Sequence, residues 1–523
     1  MTNMMRYIGL LALVVLFAAC RKDLGNYEYK EVNALEIRGI PDTVVVKLGT
    51  IVPIRPDLTF TQDTVAGHFT YEWMAIDNAT DNKFRLLDTS RNLTVEVPLQ
   101  AGYYNVYYTV KEKSTGITWS KKFVMSVVGA LGKKGWFFMS DVDGKTNVQF
   151  WEEDMAQLGV YPIRHTDLLS KIKDPVSGKP LTLEGKPRYL NVTNLSVNVA
   201  ETGYKYWLYL GSEFSGEKIN ITNGLIWKNP SYSFRFETAN LYPSNPLWVH
   251  SQGAGVAYAY YEGQLYKSYS VNKEVFGIPI NRLNTGETFK ISPYMAVPLN
   301  MQELLSIVYD VDNKRFMKHY GAATSYMTAL LPKVGGFDPN NVNMDLVYMA
   351  HTAAFGGQAV AVLKDAANKR FIARITLTTS GTTSAEKLEE VNLPELAAAD
   401  HFEVDIRYGF LIYSVKEKLY AYDMDAKKQW LLRDFGAGAE ITMLKSGMDC
   451  VLPSWAAYLL RPQNYNRAQI EPPVVGLMVG VFNPAQGPMG GKVDIVNMEL
   501  ASHPSYYTFS GFGRVVDIEY INL

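Results

Sequence analysis

The stretch Asp310-Val311-Asp312-Asn313-Lys314-Arg315-Phe316 sets the pattern of the long C-terminal part of the chain. Its order is an apolar strand, a polar turn and a second strand. A near copy, Ala367-Asn368-Lys369-Arg370-Phe371, follows 55 residues later when Asn313 is compared with Asn368. Asp, Asn and Lys at such a place are typical of a hairpin turn. The spacing of the two copies indicates a repeated structural unit.

Further hairpins extend this series in both directions. Asp423-Met424-Asp425-Ala426-Lys427 is a third copy, and Asp141-Val142-Asp143-Gly144-Lys145 is an earlier one. With turn-forming residues between and beyond them, the series has seven members, near positions 143, 202, 262, 312, 367, 425 and 490. The mean spacing is about 58 residues, and a period of this length with several strands per unit is typical of a β-propeller.

We therefore predict a seven-bladed β-propeller over residues 130–523. Each small sheet of such a fold completes its core only when the ring closes. The last strand, Phe509 to Tyr520, is expected to complete a blade that begins near Gly135. The alternative is another large β-fold, because turns of this composition also occur in ordinary hairpins.

An all-β pattern also covers residues 32–128. Phe69-Thr70-Tyr71-Glu72-Trp73 places alternate aromatic side chains on one face, and the run from Leu93 to Val97 does the same with aliphatic ones. Six or seven short strands in about a hundred residues indicate a β-sandwich. The whole chain is thus predicted to be all-β, with a sandwich before the propeller.

Two motifs in this first domain resemble the PKD domain, an immunoglobulin-like module of extracellular proteins. They are Tyr71-Glu72-Trp73 and, thirty residues later, Gly102-Tyr103-Tyr104-Asn105-Val106. The resemblance implies that Trp73 lies buried between the sheets. The Gly-Asp-Gly that usually follows the Trp is absent, and Asp77-Asn78-Ala79-Thr80 stands there instead.

The N-terminus indicates export and lipid attachment. Residues 7–19 are an apolar run behind Arg6, too short to span a bilayer, which requires roughly twenty residues, but suited to a signal peptide. Cys20 follows Phe17-Ala18-Ala19, an arrangement that resembles a bacterial lipobox. We expect cleavage of 1–19, acylation of Cys20 and a short tether over 20–31. The alternative is an ordinary signal peptide with an incidental cysteine.

Signal, tether, PKD-like domain and propeller together resemble the PKD-like lipoproteins of Bacteroidetes. This resemblance implies an outer-membrane protein, on the cell surface or on the periplasmic face. It also implies a role as accessory of a TonB-dependent nutrient importer and its partner lipoprotein.

Composition narrows the classes of partner and of chemistry. The formal net charge is -1 and there is no long basic run, so nucleic acid is not expected as a partner. There are two cysteines, and acylation of Cys20 would leave Cys450 without a disulfide partner. Cys450 lies in apolar company and is expected to be a core residue rather than a nucleophile.

The search for catalytic and metal sites finds no motif. No pair of histidines flanks a glutamate at helical spacing, and no Gly-x-Ser-x-Gly elbow occurs. Gly436-Ala437-Gly438 lacks the remainder of a phosphate loop. The Asp141 to Gly144 stretch could begin a calcium loop but is interpreted as a hairpin turn. The carboxylate pairs Glu152-Glu153 and Glu389-Glu390 are expected to be solvated, and neither a metal nor a cofactor is expected.

Ligand binding is therefore the favoured function, at loops around the propeller channel. The widest spacing in the series, from 425 to 490, holds an aromatic- and amide-rich stretch. The candidate ligand-binding residues are Trp455, Tyr458, Asn464, Tyr465 and Arg467, with Trp248 and His250 as further candidates. We expect a peptide or oligosaccharide ligand, or docking on the importer. The alternatives are an extracellular propeller hydrolase or lyase that acts on peptides or polysaccharides, and a scaffold without a ligand.

Overall fold

A computed structural model describes most of the chain outside the N-terminal thirty residues. The described residues are 31–47, 50–77, 83–96, 99, 102–129, 131–132, 134–154, 160–174, 177–194, 206–222, 224–227, 247–253, 256–269, 276–297, 305–320, 324–377, 383–446, 450–451, 476–498 and 502–522. They form two compact units. The first comprises the described residues up to Asp42, Pro53–Val95 and Asn105–Val124, and the second comprises Thr43–Val52, Glu96–Tyr104 and the residues from Met125 onward.

The N-terminal strands form one large and two small sheets. Strands β1 to β9 are Leu35–Arg38, Thr43–Lys47, Ile51–Ile54, Asp57–Phe60, Phe69–Asp77, Lys83–Asp88, Leu93–Glu96, Gly102–Glu112 and Thr118–Val128. The large sheet has the order β2-β9-β8-β5-β6, and the small sheets pair β1 with β4 and β3 with β7. Alternation of buried and exposed residues along β8 places one of its faces in a core.

Trp73 occupies the centre of the first unit. Its side chain is fully buried, and its ring centroid lies 4.2 Å from that of Tyr108 and 6.2 Å from that of Phe123. The indole N–H donates to the carbonyl of Ser90 at 2.9 Å, so the one polar atom of the ring is satisfied. The predicted burial of Trp73 is confirmed.

The remaining strands continue to the end of the chain. Strands β10 to β36 are Lys134–Val142, Lys145–Glu152, Ile163–His165, Pro187–Asn194, Tyr206–Ser212, Gly216–Asn220, Trp248–Gly253, Val256–Tyr261, Gln264–Tyr269, Phe276–Pro279, Leu305–Asp310, Arg315–Tyr320, Thr328–Ala329, Asp345–Thr352, Gln358–Lys364, Arg370–Leu377, Thr383–Val391, His401–Val404, Leu411–Val415, Lys418–Asp423, Lys428–Asp434, Glu440–Ser446, Cys450–Val451, Leu477–Phe482, Gly491–Val496, Ser505–Phe512 and Arg514–Asn522. A helix of four residues, α1, spans Pro394–Ala397, and 3-10 turns span Ala66–His68, Leu169–Lys171, Ala354–Gly356 and Pro484–Gln486. Within the described ranges, no helix is long and apolar enough to cross a membrane.

These strands form seven antiparallel sheets in the described part of the chain, which we number as blades. Blade 1 is β36-β10-β11-β12, blade 2 is β13-β14-β15 and blade 3 is β16-β17-β18-β19. Blade 4 is β20-β21-β22, preceded by an inner segment that bridges β20 through Ile291 and Ala296. Blades 5, 6 and 7 are β23-β24-β25-β26, β27-β28-β29-β30 and β31-β33-β34-β35.

A separate apolar cluster fills the space between each blade and the next. Representative members, from the blade 1–2 contact around to the blade 7–1 contact, are Phe137 with Leu190, Tyr209 with Ala257, Tyr258 with Val308, Ile307 with Ala361, Val362 with Leu411, Ile412 with Val479, and Val493 with Phe138. The series returns to its start, so the sheets form a closed ring. The all-β architecture with a seven-bladed propeller is confirmed.

The last strand closes the ring. β36 pairs antiparallel with β10, with Gly135 opposite Ile521 and Phe138 opposite Ile518. The predicted completion of the first blade by the C-terminus is confirmed, although the strand begins at Arg514 and the residues before Gly513 belong to blade 7.

Strand alternation gives the propeller two distinct ends. The turn end carries the connections between second and third strands, at 143–144, 213–215, 262–263, 311–314, 365–369, 416–417 and 483–490. The loop end carries the connections between first and second strands and between third and fourth strands. Five members of the predicted series fall on turn-end connections, and the member near 202 lies outside the described residues.

The predicted member near 425 is wrong, because it connects the third and fourth strands of blade 6. The reason is that the repeated phrase encodes a turn and not a place in the blade. The Asp310 carboxylate accepts the N–H groups of Asp312 and Asn313, and that of Asp423 accepts those of Asp425 and Ala426. This bond pattern stabilises the same four-residue turn at either end of the ring.

Candidate functional site

The loop end offers a candidate site where the first-to-second connections of blades 5, 6 and 7 meet. In blade 5 this connection is 353–357, and in blade 6 it is 405–410. In blade 7 it runs from Ser446 to Gly476 and includes β32. Most of the predicted ligand-binding residues belong to this last connection.

Asp405 shapes the blade 6 loop. Its carboxylate accepts the backbone N–H groups of Arg407 and Tyr408, and its carbonyl accepts that of Gly409 at 3.0 Å. Burial raises the pKa of the Asp405 carboxyl, while the N–H groups of Tyr408 and Arg407 oppose the rise. The loop projects Arg407 into solvent, and Tyr408 stacks on Phe410 with a centroid distance of 5.7 Å.

Hydrogen bonds join the three loops side by side. The Thr352 hydroxyl donates to the carbonyls of Asp405 and Ile406, at 2.8 and 3.1 Å. The Ala353 N–H also donates to Ile406, whose own N–H donates to the Ser446 hydroxyl at 3.0 Å. The loops of blades 5 and 6 are therefore held rigidly against the start of the blade 7 connection.

A small cavity lies where these loops meet. It is lined by residues 405–408 of blade 6 and by Ser446, Gly476 and Met498 of blade 7. Its size corresponds to about one water molecule. Ser446 and Gly476 flank the segment 447–475 in sequence, so the two ends of the connection that holds most of the predicted binding residues line this cavity.

Phe355 is the exposed aromatic residue of the blade 5 loop. Its side chain is 39% exposed, and its backbone has a φ of 56°, in the left-handed region that bulky residues rarely adopt. The Arg374 guanidinium lies 4.2 Å from the ring centroid. Across the blade boundary, the ring packs so closely on Gly409 that a Cβ there would meet it at 2.3 Å.

Arg374 connects this ring to the neighbouring blade. Its Nε donates to Gln358 at 2.8 Å and its Nη1 to Asp425 at 2.5 Å. Arg374 and Gln358 are buried, whereas about half of the Asp425 side chain, 51%, is exposed. The result is an exposed aromatic ring and an exposed carboxylate that share one fixed guanidinium.

A charged cluster lies on the innermost strands nearby. Lys445 of β31 contacts Asp517 and Glu519 of β36 at 3.1 and 3.3 Å, and Asn191 of β13 donates to Glu519. The short strand β32 pairs in parallel with β36, with Cys450 opposite Tyr520. The blade 7 connection thus begins along the axis of the ring.

The predicted site residues have different outcomes. Cys20, Trp455, Tyr458, Asn464, Tyr465 and Arg467 lie outside the described residues. Trp248 and His250 are in β16, where Trp248 donates its indole N–H to the Pro293 carbonyl at 2.8 Å and stacks on Tyr260. Ligand contact by these residues, and a core role for Cys450, stay predictions.

Phe355, Arg374 and Asp425 were not among the predicted residues. The one sequence signal near them is Gly356-Gly357 directly after an aromatic residue, a pair that permits an unusual loop conformation.

The expectation that Glu152 and Glu153 are solvated is wrong, because both are buried. Glu153 pairs with Lys134 at 3.0 Å and accepts a hydrogen bond from Tyr520, while Glu152 bonds to His165 at 2.7 Å. Adjacent residues near a strand end point in opposite directions, and here each carboxylate has a hydrogen-bonding partner inside the protein.

Other candidates for chemistry are held in structural contacts. Glu389 and Glu390 form half-exposed pairs with Lys427 and Lys369. Asp141 accepts the Gly144 N–H at 2.7 Å, as a turn requires. In the described ranges, no three His, Cys, Asp or Glu residues form a group that could hold a metal ion.

Comparison with known proteins supports the N-terminal assignment. A model of the PKD-like family matches residues 20–182, so a PKD-like domain is shown for this part of the chain. Among curated proteins, none matches the chain.

Solved structures with a similar backbone arrangement include two from Bacteroides thetaiotaomicron. One is a quinonprotein alcohol dehydrogenase-like protein, with 12% identity, coverage of 92% of this chain and 97% of that chain, and a TM-score of 0.46. The other is the extracellular domain of a one-component system, with 10% identity, coverage of 93% and 70%, and a TM-score of 0.35. A third is PorZ of Porphyromonas gingivalis, a surface component of the type-IX secretion system, with 9% identity, coverage of 73% and 38%, and a TM-score of 0.37. At such TM-scores these likenesses carry no argument about activity.

Proposed function

We propose that this chain is a non-catalytic lipoprotein that binds an oligomeric nutrient at the loop end of its propeller. It serves as accessory to a TonB-dependent importer of the outer membrane and its partner lipoprotein. The acylated Cys20 anchors the protein in the membrane, and the PKD-like domain acts as a spacer near the membrane. The ligand is a peptide or an oligosaccharide, or the loop end docks directly on the importer.

The arrangement of the loop end carries this proposal. The connections of blades 5, 6 and 7 are tied together there through Thr352, Ile406 and Ser446, and a cavity between blades 6 and 7 is lined by the two ends of the long blade 7 connection. Binding residues are commonly placed on loops that a rigid scaffold positions. In this proposal, the aromatic and amide residues of the blade 7 connection act together with Arg407 and Phe355 of the neighbouring loops and supply both apolar contact and hydrogen bonding.

The contacts of the buried ionisable groups favour binding over catalysis. Glu153, Glu152 and Asp405 each have their charge satisfied by a fixed partner inside the protein. A general acid or base must instead reach a substrate proton at hydrogen-bond distance. The alternative, an extracellular hydrolase or lyase, makes a different prediction in the test below.

The test uses the mature chain in detergent, incubated with pools of oligopeptides and oligosaccharides. Mass spectrometry of the retained material should find intact ligands, enriched relative to the input pool. A triple variant, Trp455→Ala with Tyr465→Ala and Arg467→Ala, should lose most of this enrichment. New cleavage products in the supernatant would overturn the non-catalytic proposal and favour the hydrolase.

The anchor is tested separately. A Cys20→Ser variant should incorporate no labelled fatty acid and should leave the membrane fraction, because each buried methylene contributes about 0.8 kcal/mol to membrane binding. The Cys450→Ser variant is the matched control and should stay membrane-bound. Fatty-acid labelling that persists in Cys20→Ser would contradict the anchor.

A further inference from the structure

We propose that Phe355, Arg374 and Asp425 form a saccharide-binding subsite on the surface where blades 5 and 6 meet. This inference rests on the proposed function, since it assigns the ligand class of the same end of the propeller. It does not depend on the segment 447–475.

The geometry places an apolar platform beside a polar acceptor. Phe355 is 39% exposed, and the Arg374 guanidinium lies over its ring, 4.2 Å from the centroid. The C–H face of a sugar ring carries partial positive charge and packs favourably on an aromatic face. Asp425, bound to the same guanidinium at 2.5 Å, keeps a half-exposed carboxylate that can accept bonds from sugar hydroxyls.

The platform is fixed in place before any ligand arrives. Arg374 is held by Gln358 on one side and Asp425 on the other, and it is 7% exposed. The ring edge abuts Gly409, whose φ of 73° suits glycine. A rigid aromatic side chain loses little conformational entropy on binding, which favours affinity for a weakly interacting ligand such as a sugar.

The backbone conformation of Phe355 points the same way. A non-glycine residue in the left-handed region is sterically disfavoured, and such strain clusters at functional sites. Here it turns an aromatic ring toward solvent that could otherwise pack inward. Gly356 and Gly357, both with positive φ, complete the turn that holds it there.

The backbone of the blade 5 and blade 6 loops favours a saccharide over an extended peptide as the ligand. Peptides are commonly bound through main-chain hydrogen bonds to an open strand edge. In these two loops, the N–H groups of Ala353, Gly357 and Gly409 already donate to carbonyls within the protein. A ligand at this subsite would therefore be bound by side chains, which suits a ligand rich in hydroxyl groups.

The experiment measures binding of the full mature chain to an array of defined oligosaccharides, followed by titration calorimetry with the tightest binder. Phe355→Ala should weaken binding about tenfold or more. Phe355→Tyr keeps the ring and should stay within about threefold of the wild type. The matched control is Phe214→Ala, an exposed phenylalanine in a turn-end connection, and it should leave binding unchanged.

Asp425→Asn provides a second readout on a half-exposed turn, where misfolding is not expected. It should weaken binding about fivefold, and its unfolding midpoint should fall only slightly, because the asparagine oxygen can still accept the hydrogen bond from Arg374. Unchanged saccharide affinity in both Phe355→Ala and Asp425→Asn would overturn the subsite. A wild-type chain that retains peptides but no saccharide would also overturn it, while the proposed function would stand. A chain that retains neither and does not associate with an importer would overturn both.

Discussion

The two ends of the propeller are built from the same hairpins but differ in what their connections do. At the turn end, the second-to-third connections include tight turns such as 143–144 and 262–263, and Gly490 and Gly513 at this end lie against neighbouring backbone. At the loop end, the buried Asp405 and the two ends of the long blade 7 connection line a cavity, and the strained Phe355 lies in the adjoining blade 5 loop. We interpret this difference as a division of roles, in which the turn end stabilises the ring and the loop end presents the proposed binding surface.

The largest effect on the free energy of unfolding is expected from replacing one glycine by alanine at each end of the propeller, which should separate the two roles. Gly513→Ala at the turn end would place a Cβ 2.1 Å from the Asp141 carbonyl oxygen, which cannot move alone. We expect a loss of about 3 kcal/mol or more in the free energy of unfolding by urea.

Gly409→Ala is the loop-end counterpart. Its Cβ would meet the side chains of Phe355 and Ala354 rather than backbone and would displace the Phe355 ring. A smaller loss of about 1–2 kcal/mol is therefore expected, together with weaker ligand binding. Gly67→Ala, with open space around the site, is the neutral control. Equal losses at Gly513 and Gly409 would remove the contrast between the ends.

The next largest effect is expected at acidic pH, which should lower the free energy of unfolding through two buried histidines near the loop end. Burial lowers the pKa of His319 to about 4 and that of His351 to about 4. His319 bonds to Tyr258 and to Thr324 of a loop-end connection, with Lys267 nearby, and His351 lies beside Gly357.

The sign follows from which state binds protons first. The unfolded chain, with a histidine pKa near 6.5, takes up protons before the folded chain, so stability is full above about pH 7 and falls as the pH drops toward 4. Between pH 7.5 and 5, each histidine should remove about 2 kcal/mol from the free energy of unfolding. In urea titrations His319→Gln should show a correspondingly flatter pH dependence. An unchanged slope would show that the pKa of His319 is the same in the folded and the unfolded chain, which would contradict the expected lowering.

The same turn phrase occurs at both ends and allows a matched comparison. Asp310, fully buried at the turn end, accepts two backbone N–H groups and pairs with Arg315 at 2.8 Å. Asp423 accepts two N–H groups in an exposed loop-end turn. We expect Asp310→Ala to cost about 1–2 kcal/mol and Asp423→Ala about half as much, measured by thermal unfolding. A larger loss for Asp423 would contradict the assignment of stability to the turn end.

The smallest effect on stability is expected at Phe355. Phe355→Asn replaces a strained residue with one that tolerates positive φ, but it loses the contact with Arg374, so the two changes should cancel to within about 0.5 kcal/mol. Saccharide binding should nevertheless be lost in titration calorimetry. A marked loss of stability with binding intact would make Phe355 a structural residue.

The sequence predicts the ring well because its signal is local and repeated. Each hairpin carries its own turn residues, so seven members could be counted and the closing strand recognised from Gly135 and the C-terminus. The register of one member failed, since Asp423 and Asp310 encode the same turn whichever strands they join. Burial of Glu152 and Glu153 also escaped, because their partners Lys134, His165 and Tyr520 are distant in sequence or unremarkable on their own.

The candidate site could be predicted only in part. The aromatic- and amide-rich stretch from Trp455 to Arg467 stands out in the sequence by composition. The role proposed for Phe355 depends on its contacts with Arg374 and Gly409 and on the bond between Arg374 and Asp425. These three residues lie 19, 54 and 70 residues further along the chain. No local sequence pattern predicts that these residues come into contact, since the contact depends on how two blades pack together.

Closure by β36 has a consequence for biogenesis. The innermost strand of blade 1, β36, follows its partner β10 by almost four hundred residues. Contacts of such long sequence separation form late and slowly. The ring therefore stays open until β36 has been synthesised, and a truncation directly after Gly513 should leave blades 2 to 7 complete while blade 1 lacks the strand that closes the ring.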